Sequence, residues 1–231
     1  MNQEDGKQIT LTRIQKLIGQ RMLKSKQTQP CFYITAKASV DKIIEIRRPL
    51  SKQLGVRISL NDFIICGIAK AVEQHPLLKG YYKDDNIELA EEVNVGLAVA
   101  APKGLVVPIV KNAGKKKLAQ ISKDTNELID KAKNNKLTLD DLTGACTTLT
   151  ALGMFGIASF LAIPSPGQAS IISMGKIVEE PVVIDGRVET RKLIEFCLAA
   201  DSRIISPDYG AKFLMDMVNL VSEPEKMIAQ I

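Results

Sequence analysis

The chain has 231 residues, of which 45% are apolar and 25% charged, as in globular proteins of one large domain or two small ones. No apolar run reaches the roughly 18 to 20 residues of a membrane span, and no signal segment opens the chain, so we expect neither membrane insertion nor secretion. Because the net charge of +5 comes from basic residues spread among 26 acidic ones, and aromatic residues are scarce, nucleic acid is not an expected partner.

Cysteine and histidine are too few and too scattered for a metal site. The four cysteines form no C-x-x-C pair, and His75 is the only histidine. We therefore expect neither a zinc site nor a disulfide framework, and a reducing compartment, the cytoplasm or an organelle matrix, fits the chain better. Any mechanism that needs a histidine base must use His75 or does not operate here.

The first third of the chain predicts a polar lead followed by helices and one strand. We expect residues 1–8 to be a disordered lead and residues 9–231 to form one domain. Thr12 occupies an N-cap position with Gln15 in the capping-box place, which predicts the start of a helix. After it, the alternation of aromatic and β-branched residues over 31–38 predicts a strand.

Two further helices are predicted from capping residues and prolines. Asp41 can cap the first of them, which Pro49 should kink or interrupt. The second begins near Asn61, is almost entirely apolar and ends at His75-Pro76, as a buried central helix would.

The remaining two thirds alternate between strands and helices. Strands are predicted over 87–90, 93–101, 105–110 and 147–152, and a helix over 118–134. Strands over 169–178 and 187–200 flank Asp185-Gly186, a strong hairpin signal, and a last helix begins near Ser206-Pro207. Without a regular βαβ repeat, the pattern indicates a mixed α/β domain.

General catalytic patterns are absent from the sequence. It contains no G-x-G-x-x-G, Walker loop, H-E-x-x-H or G-x-S-x-G. We interpret His75 as structural, because it ends a helix before a proline. Cys31 has no cation or base nearby in the sequence to activate its thiol. Asp140 and Asp141 follow Thr138, which indicates a capped turn rather than a metal pair.

Several sequence blocks nevertheless make the chain recognisable by their order and spacing. They are Asn61-Asp62-Phe63-Ile64-Ile65, Val95-Gly96-Leu97-Ala98-Val99-Ala100, Gly104-Leu105-Val106-Val107-Pro108-Ile109-Val110, Leu152-Gly153-Met154-Phe155-Gly156, and Ile163-Pro164 with Pro166 and Gln168-Ala169. From about Ile9 onward the chain closely resembles the catalytic core domain of the dihydrolipoamide acyltransferase component of 2-oxo acid dehydrogenase complexes.

The resemblance implies an α/β fold like that of chloramphenicol acetyltransferase, with a mixed sheet and helices. It further implies a homo-trimer with active sites at subunit interfaces, often built into a larger cubic assembly with the other components of the complex. The implied reaction is acyl transfer from dihydrolipoamide, whose lipoyl group is carried on a partner domain, to coenzyme A, without a metal. No lipoyl or peripheral-subunit-binding domain precedes the core, so we expect either an excised domain or a core without arms.

The resemblance also shows where the chain departs from its family. In the family pattern Asp-His-Arg-x-x-Asp-Gly, the histidine removes the proton from the coenzyme A thiol. Here Ser202 stands in the place of the histidine, Ser206 in that of the second aspartate and Pro207 in that of the glycine. Arg21 resembles an arginine that pairs with this aspartate in relatives, so we expect it to take another acceptor. Thr150 resembles the hydroxyl residue that steadies the oxyanion.

Two functions follow from this departure. Serine has no nitrogen that titrates near neutral pH, so Ser202 cannot be the base, and losing a positioned base costs about 10²- to 10⁴-fold in rate. The first hypothesis is a catalytically impaired core that acts as an oligomeric scaffold or as partner to an active paralogue, as protein X does in some pyruvate dehydrogenase complexes. The alternative is an active acyltransferase with an unconventional base. In both, Thr150, Leu152 and Gly153 are expected to line a channel for coenzyme A.

Overall fold

The computed structural model describes residues 8–102 and 104–228. All of the predicted lead except Gln8 lies outside these residues and stays a prediction. The helices of the described chain are α1 (Arg13–Thr28), α2 (Asp41–Leu54), α3 (Leu60–Gln74), α4 (Leu118–Lys133), α5 (Pro207–Ser222) and α6 (Glu225–Ile228). The strands are β1 (Cys31–Ser39), β2 (Gly80–Lys83), β3 (Asn86–Leu89), β4 (Val95–Leu97), β5 (Val99–Ala101), β6 (Gly104–Val106), β7 (Ile109–Val110), β8 (Thr147–Ala151), β9 (Ser170–Ile184) and β10 (Arg187–Asp201).

A six-stranded mixed sheet organises the domain in the order β1-β10-β9-β8-β4-β7. Strand β8 runs parallel to both β4 and β9, and the other neighbours are antiparallel. The long β9–β10 hairpin turns at Asp185 and Gly186, both with positive φ, as predicted. Two short ribbons, β2–β3 and β5–β6, lie outside the main sheet.

The two faces of the sheet are covered differently. One face packs against the helices in the main core, whose largest fully buried side chains include Phe63, Phe196 and Phe213. The opposite face carries only a small cluster, formed by Ala162, Ile171 and Ala199 with partly buried neighbours. This second face is therefore sparsely covered in the part of the chain that is described.

Helix α1 is attached mainly at its C-terminal end. Its predicted capping box is present, with Thr12 Oγ1 accepting from Gln15 N at 3.2 Å. At the other end Ser25 Oγ donates to Pro164 O at 2.6 Å, and Gln29 Nε2 donates to Gln168 O at 3.0 Å. Most side chains before Ser25 are exposed, so α1 stands partly away from the body of the domain.

The structure corrects predictions for α2. Pro49 does not interrupt the helix. The proline leaves the carbonyl of Glu45 without its helical donor, but Glu45 and Pro49 both face solvent. Asp41 is the first helical residue rather than the cap, and its carboxylate accepts from Lys192 N at 3.1 Å instead.

The predicted strand over 93–101 is also not continuous. Its first part, β4, pairs with β7 and β8, whereas β5 leaves the main sheet and pairs with β6. Among the residues described, no helix is both long and apolar enough to span a membrane.

Candidate functional site

Thr150 lies on β8, on the sparsely covered face of the sheet. Its neighbours Leu149 and Ala151 pack in the main core, so the alternation of a strand directs Thr150 to the other side. Its side chain is half-buried. A hydroxyl here is available to a ligand that lies on this face.

The turn after Thr150 is held by close backbone packing. Leu152 N donates to Met174 O at 3.2 Å, which extends the pairing of β8 with β9. A Cβ on Gly153 would lie 2.5 Å from Gly175 O, and one on Gly175 would lie 1.7 Å from Ala158 O. Only glycine fits at either position, so the backbone that follows Thr150 packs closely against β9.

Ser202 lies in the turn that follows β10, between two residues that bind each other. The carboxylate of Asp201 is fully buried and accepts from Arg203 Nε at 3.0 Å and from Arg203 Nη2 at 2.6 Å. Ser202 N donates to Pro30 O at 2.9 Å, and the Ser202 side chain is exposed. The backbone of this turn is thus fixed on both sides while the serine itself faces outward.

The guanidinium of Arg203 is positioned by a second contact that the sequence did not predict. It lies over the ring of Tyr82, 4.2 Å from the ring centroid. The hydrogen bonds to Asp201 raise the pKa of Arg203 above its already high value, so the guanidinium stays charged. Tyr82 is more than a hundred positions away in the chain, and no local pattern could have identified it.

Ser206 lies four residues after Ser202, at the start of α5. It is the N-cap residue and Pro207 the first helical residue, as predicted. The Ser206 hydroxyl does not cap a backbone N–H, however, but donates to Asp208 Oδ1 at 2.5 Å. This hydrogen bond lowers the pKa of Asp208.

Thr150 and Ser202 do not meet within one chain. Thr150 is paired with Ser173 on β9, which is paired with Cys197 on β10, five residues before Ser202. The two residues are therefore about 10 Å apart across the sheet and roughly 16 Å apart along it. A reaction that uses both positions must take them from different chains.

Arg21 does not reach the catalytic-motif residues either. Its side chain is exposed on α1 and makes no hydrogen bond or ion pair in the part of the chain that is described. The expectation that it takes another acceptor is therefore not met within a single chain. Instead it lines a large groove beneath α1.

Cys31 borders a cavity of about 230 Å³ at the start of β1. Burial raises the pKa of its thiol, and the negative charge of Asp201 raises it further, against the opposing charges of Lys26 and Arg203. The thiolate is therefore disfavoured, which agrees with the interpretation of Cys31 as unreactive.

His75 is committed to a structural contact on the helical side of the sheet. Its Nε2 lies 2.7 Å from Asp216 Oδ2, and its ring contacts the rings of Tyr209 and Phe213 edge-on. The side chain is only 12% exposed. Since Thr150 faces the other side of the sheet, the only histidine of the chain is not in contact with it.

Neither of the two cavities described is lined by Thr150, Leu152 or Gly153, so a channel along these residues remains a prediction.

Residues 8–102 and 104–228 contain no group of three or more His, Cys, Asp or Glu side chains that could hold a metal ion.

Comparisons with known proteins agree with the fold and the motifs. The family model described as "2-oxoacid dehydrogenases acyltransferase (catalytic domain)" matches residues 3–229. A dihydrolipoyllysine-residue acetyltransferase component of the pyruvate dehydrogenase complex of Rickettsia felis is 37% identical over 98% of this chain. The alignment covers 56% of that relative, so the chain spans about half the length of the curated relatives it matches.

Solved structures of the same kind share the fold. A probable dihydrolipoamide acetyltransferase from Listeria monocytogenes has a TM-score of 0.90 at 29% identity, over 95% of each chain. The Azotobacter vinelandii dihydrolipoamide acetyltransferase also has 0.90, at 23% identity over 96% of this chain and 93% of that one. The cubic core of a pyruvate dehydrogenase multienzyme complex has a TM-score of 0.90 at 24% identity, over 96% of this chain and 93% of that one. Chloramphenicol acetyltransferase has a TM-score of 0.54 at 13% identity, over 87% of this chain and 94% of that one. This likeness confirms the predicted fold class.

Proposed function

Because the chain belongs to the 2-oxoacid dehydrogenase acyltransferase family, we propose that it is an oligomeric core domain whose own acyl transfer from dihydrolipoamide to coenzyme A is strongly impaired. It acts as a scaffold, or as the partner of an active paralogue in the same assembly. The observation that carries the proposal is Ser202 at the histidine position, on an exposed turn whose backbone is hydrogen-bonded to Pro30 O.

The positions of the site residues support this assignment. In the Azotobacter vinelandii enzyme, a serine, a histidine and an asparagine have been investigated for their role in the catalytic mechanism. The sequence intervals between those three residues equal the intervals from Thr150 to Ser202 and from Ser202 to Ser206. Thr150 keeps the hydroxyl for the oxyanion, whereas Ser202 supplies no base.

Among the described residues of a single chain, the groups considered as a replacement for the missing base are otherwise engaged or disfavoured. Asp201 is held in its ion pair with Arg203, the thiol of Cys31 has a raised pKa, and His75 is bound to Asp216. A free thiol of coenzyme A is still roughly 3% thiolate at pH 7, so positioning and Thr150 leave a slow residual transfer. We therefore expect weak activity rather than none.

The proposed assembly is a homo-trimer, or a larger cubic assembly of trimers, with the other 2-oxo acid dehydrogenase components as partners. Within one chain Thr150 and Ser202 are too far apart to share a ligand, so a complete site needs two copies. Coenzyme A would lie along Thr150, Leu152 and Gly153 of one copy, and the lipoyl group, carried on a partner domain, would approach position 202 of the next.

Restoring the base tests the proposal. We expect Ser202→His with Ser206→Asp to raise the rate of acyl transfer from acylated dihydrolipoamide to coenzyme A by about 10²- to 10⁴-fold. Because Ser206 donates to Asp208, a carboxylate at 206 would repel Asp208, and Ser206→Asn, whose amide can donate, is the matched variant. Adding Pro207→Gly covers the case in which the fixed proline backbone misaims the new histidine.

The acyl-transfer rate of the unmodified protein could contradict the proposal. If it already transfers acyl groups at rates typical of enzymes, and Ser202→Ala does not slow it, the alternative holds and an unconventional base carries the chemistry. Sedimentation of the same samples checks the assembly, because a monomer at micromolar concentration would contradict the scaffold role.

A further inference from the structure

A large groove lies between α1 and the body of the domain. Its volume is about 740 Å³, which is in the range of pockets that bind small organic ligands. One wall is the apolar side of α1, with Leu17 and Ile18, and the other is formed by Leu105 on the β5–β6 ribbon and by Leu139 and Leu142. All of these are apolar, and several are substantially exposed in the chain as it stands.

The charged groups of the groove have one sign. Arg21 and Lys79 line it, and its lining contains no aspartate or glutamate. Neither cation has a carboxylate partner in the part of the chain that is described. Lys79 is half-buried and lines the groove in its own right.

Apolar walls combined with two unpaired cations define the ligand by its chemistry. A neutral apolar molecule would leave both cations without a partner, and a small inorganic anion would leave the walls uncovered. An amphipathic anion matches both features, since its chain covers Leu17, Ile18 and Leu105 while its head group pairs with the cations.

We propose that this groove binds a medium-chain monocarboxylate, with the aliphatic chain between α1 and the β5–β6 ribbon and the carboxylate at Arg21 and Lys79. Within one chain, neither Thr150 nor Ser202 lines this groove. The proposal does not depend on whether the chain transfers acyl groups.

Calorimetry with decanoate and decanamide on the full chain tests the charge requirement, because the two probes share one chain and differ in the head group. We expect decanoate to bind at least tenfold more tightly than decanamide. Octanoate should bind more weakly than decanoate, by up to about fourfold for each methylene removed. Equal binding of decanoate and decanamide, or no binding of decanoate at millimolar concentration, would overturn the proposal.

Substitutions locate the ligand. Arg21→Gln with Lys79→Gln should lower decanoate affinity at least tenfold, towards that of decanamide. The matched control is Lys16→Gln, because Lys16 is an exposed cation on the opposite side of α1 and should leave the affinity unchanged. Ile18→Glu, at a position that is 38% exposed, should abolish decanoate binding without unfolding the chain.

The Ile18→Glu variant also separates a ligand from a second copy of the chain. If the substitution lowers the mass of the assembly in sedimentation, another chain fills the groove and the proposal is wrong. Unchanged mass with lost decanoate binding supports it. Unaffected decanoate binding in the Arg21→Gln, Lys79→Gln double variant would place the ligand elsewhere and also contradict the proposal.

Discussion

Asp201 and Arg203 bind each other across a single intervening residue, through two side-chain hydrogen bonds and a third from Arg203 N to Asp201 Oδ1 at 3.0 Å. Because the Asp201 side chain is completely buried and that of Arg203 is 31% exposed, the pair fixes the turn from inside while Ser202 projects outward. The backbone that would orient a side chain at position 202 is therefore fixed, although the residue there is a serine.

Loss of this pair should destabilise the domain. We expect Arg203→Gln to lower the free energy of unfolding by about 2 kcal/mol, because it leaves the Asp201 charge buried without its partner, although partial exposure of Arg203 moderates the cost. Arg191→Gln breaks an exposed pair with Glu189 and should cost well under about 1 kcal/mol. Urea unfolding followed by circular dichroism at one protein concentration compares them, and equal costs would contradict the structural role of Asp201.

Two glycines should respond to the same substitution with opposite signs. Gly175→Ala would place a methyl group 1.7 Å from Ala158 O, so we expect a loss of about 3 kcal/mol or more. Gly19→Ala, in α1 with nothing within 4 Å of the new Cβ, should stabilise the helix by up to about 1 kcal/mol. Thermal unfolding of both variants is the measurement. If Gly175→Ala left the stability unchanged, the segment that contains Ala158 would not be packed against β9.

The stability of the domain should depend on the ionisation of Cys66 at alkaline pH. Burial raises the pKa of the Cys66 thiol to about 11, whereas the thiol of the unfolded chain ionises near its ordinary value. Between pH 9 and 11 the unfolded chain therefore loses this proton first, and the free energy of unfolding falls as pH rises, by roughly 2 kcal/mol at pH 11.

Urea titrations at pH 8, 9, 10 and 11 check this dependence on Cys66. Cys66→Ala should be less stable than the parent at pH 8, because it leaves a cavity in α3, but should show a shallower decline with pH. Parallel declines in the two proteins would assign the alkaline loss to other groups.

Complementation tests whether Thr150 and position 202 act from different chains. One chain carries Ser202→His, Ser206→Asp and Thr150→Ala, and the other is the unmodified protein. Each alone lacks one part of the site, the hydroxyl being worth about 10²- to 10³-fold. Co-expressed chains should exceed the mean of the two separate activities by about tenfold or more. Activity equal to that mean would show that both residues act from the same chain.

Local signals in the sequence predicted the elements that depend on local chemistry. The capping box of Thr12 and Gln15, the turn at Asp185 and Gly186, and the start of α5 at Pro207 were all confirmed, because each rests on residues within one turn. The prediction that Pro49 could interrupt α2 was wrong, because a helix continues through a proline when the carbonyl that loses its donor faces solvent, and the sequence does not show where that carbonyl faces.

Relations across the sheet could not be predicted in this way. The distance between Thr150 and Ser202 depends on β9 lying between β8 and β10, and the contact of Tyr82 with Arg203 depends on the placement of the β2–β3 ribbon. The groove between α1 and Leu105 likewise follows from how α1 is anchored at Ser25 and Gln29. Resemblance to a family predicted the site residues and their place at subunit interfaces, and the strand order of the sheet gives the separation of Thr150 and Ser202 within one chain.

Even when Thr150 and residue 202 come from different chains, a chain of this kind would dilute an active one only in linear proportion. In a ring of three chains where each site takes its hydroxyl from one chain and residue 202 from the next, a chain with Ser202 disables one site and completes another. The fraction of working sites then equals the fraction of intact chains, rather than its cube. Such a subunit would set the output of a mixed assembly in linear proportion to its share.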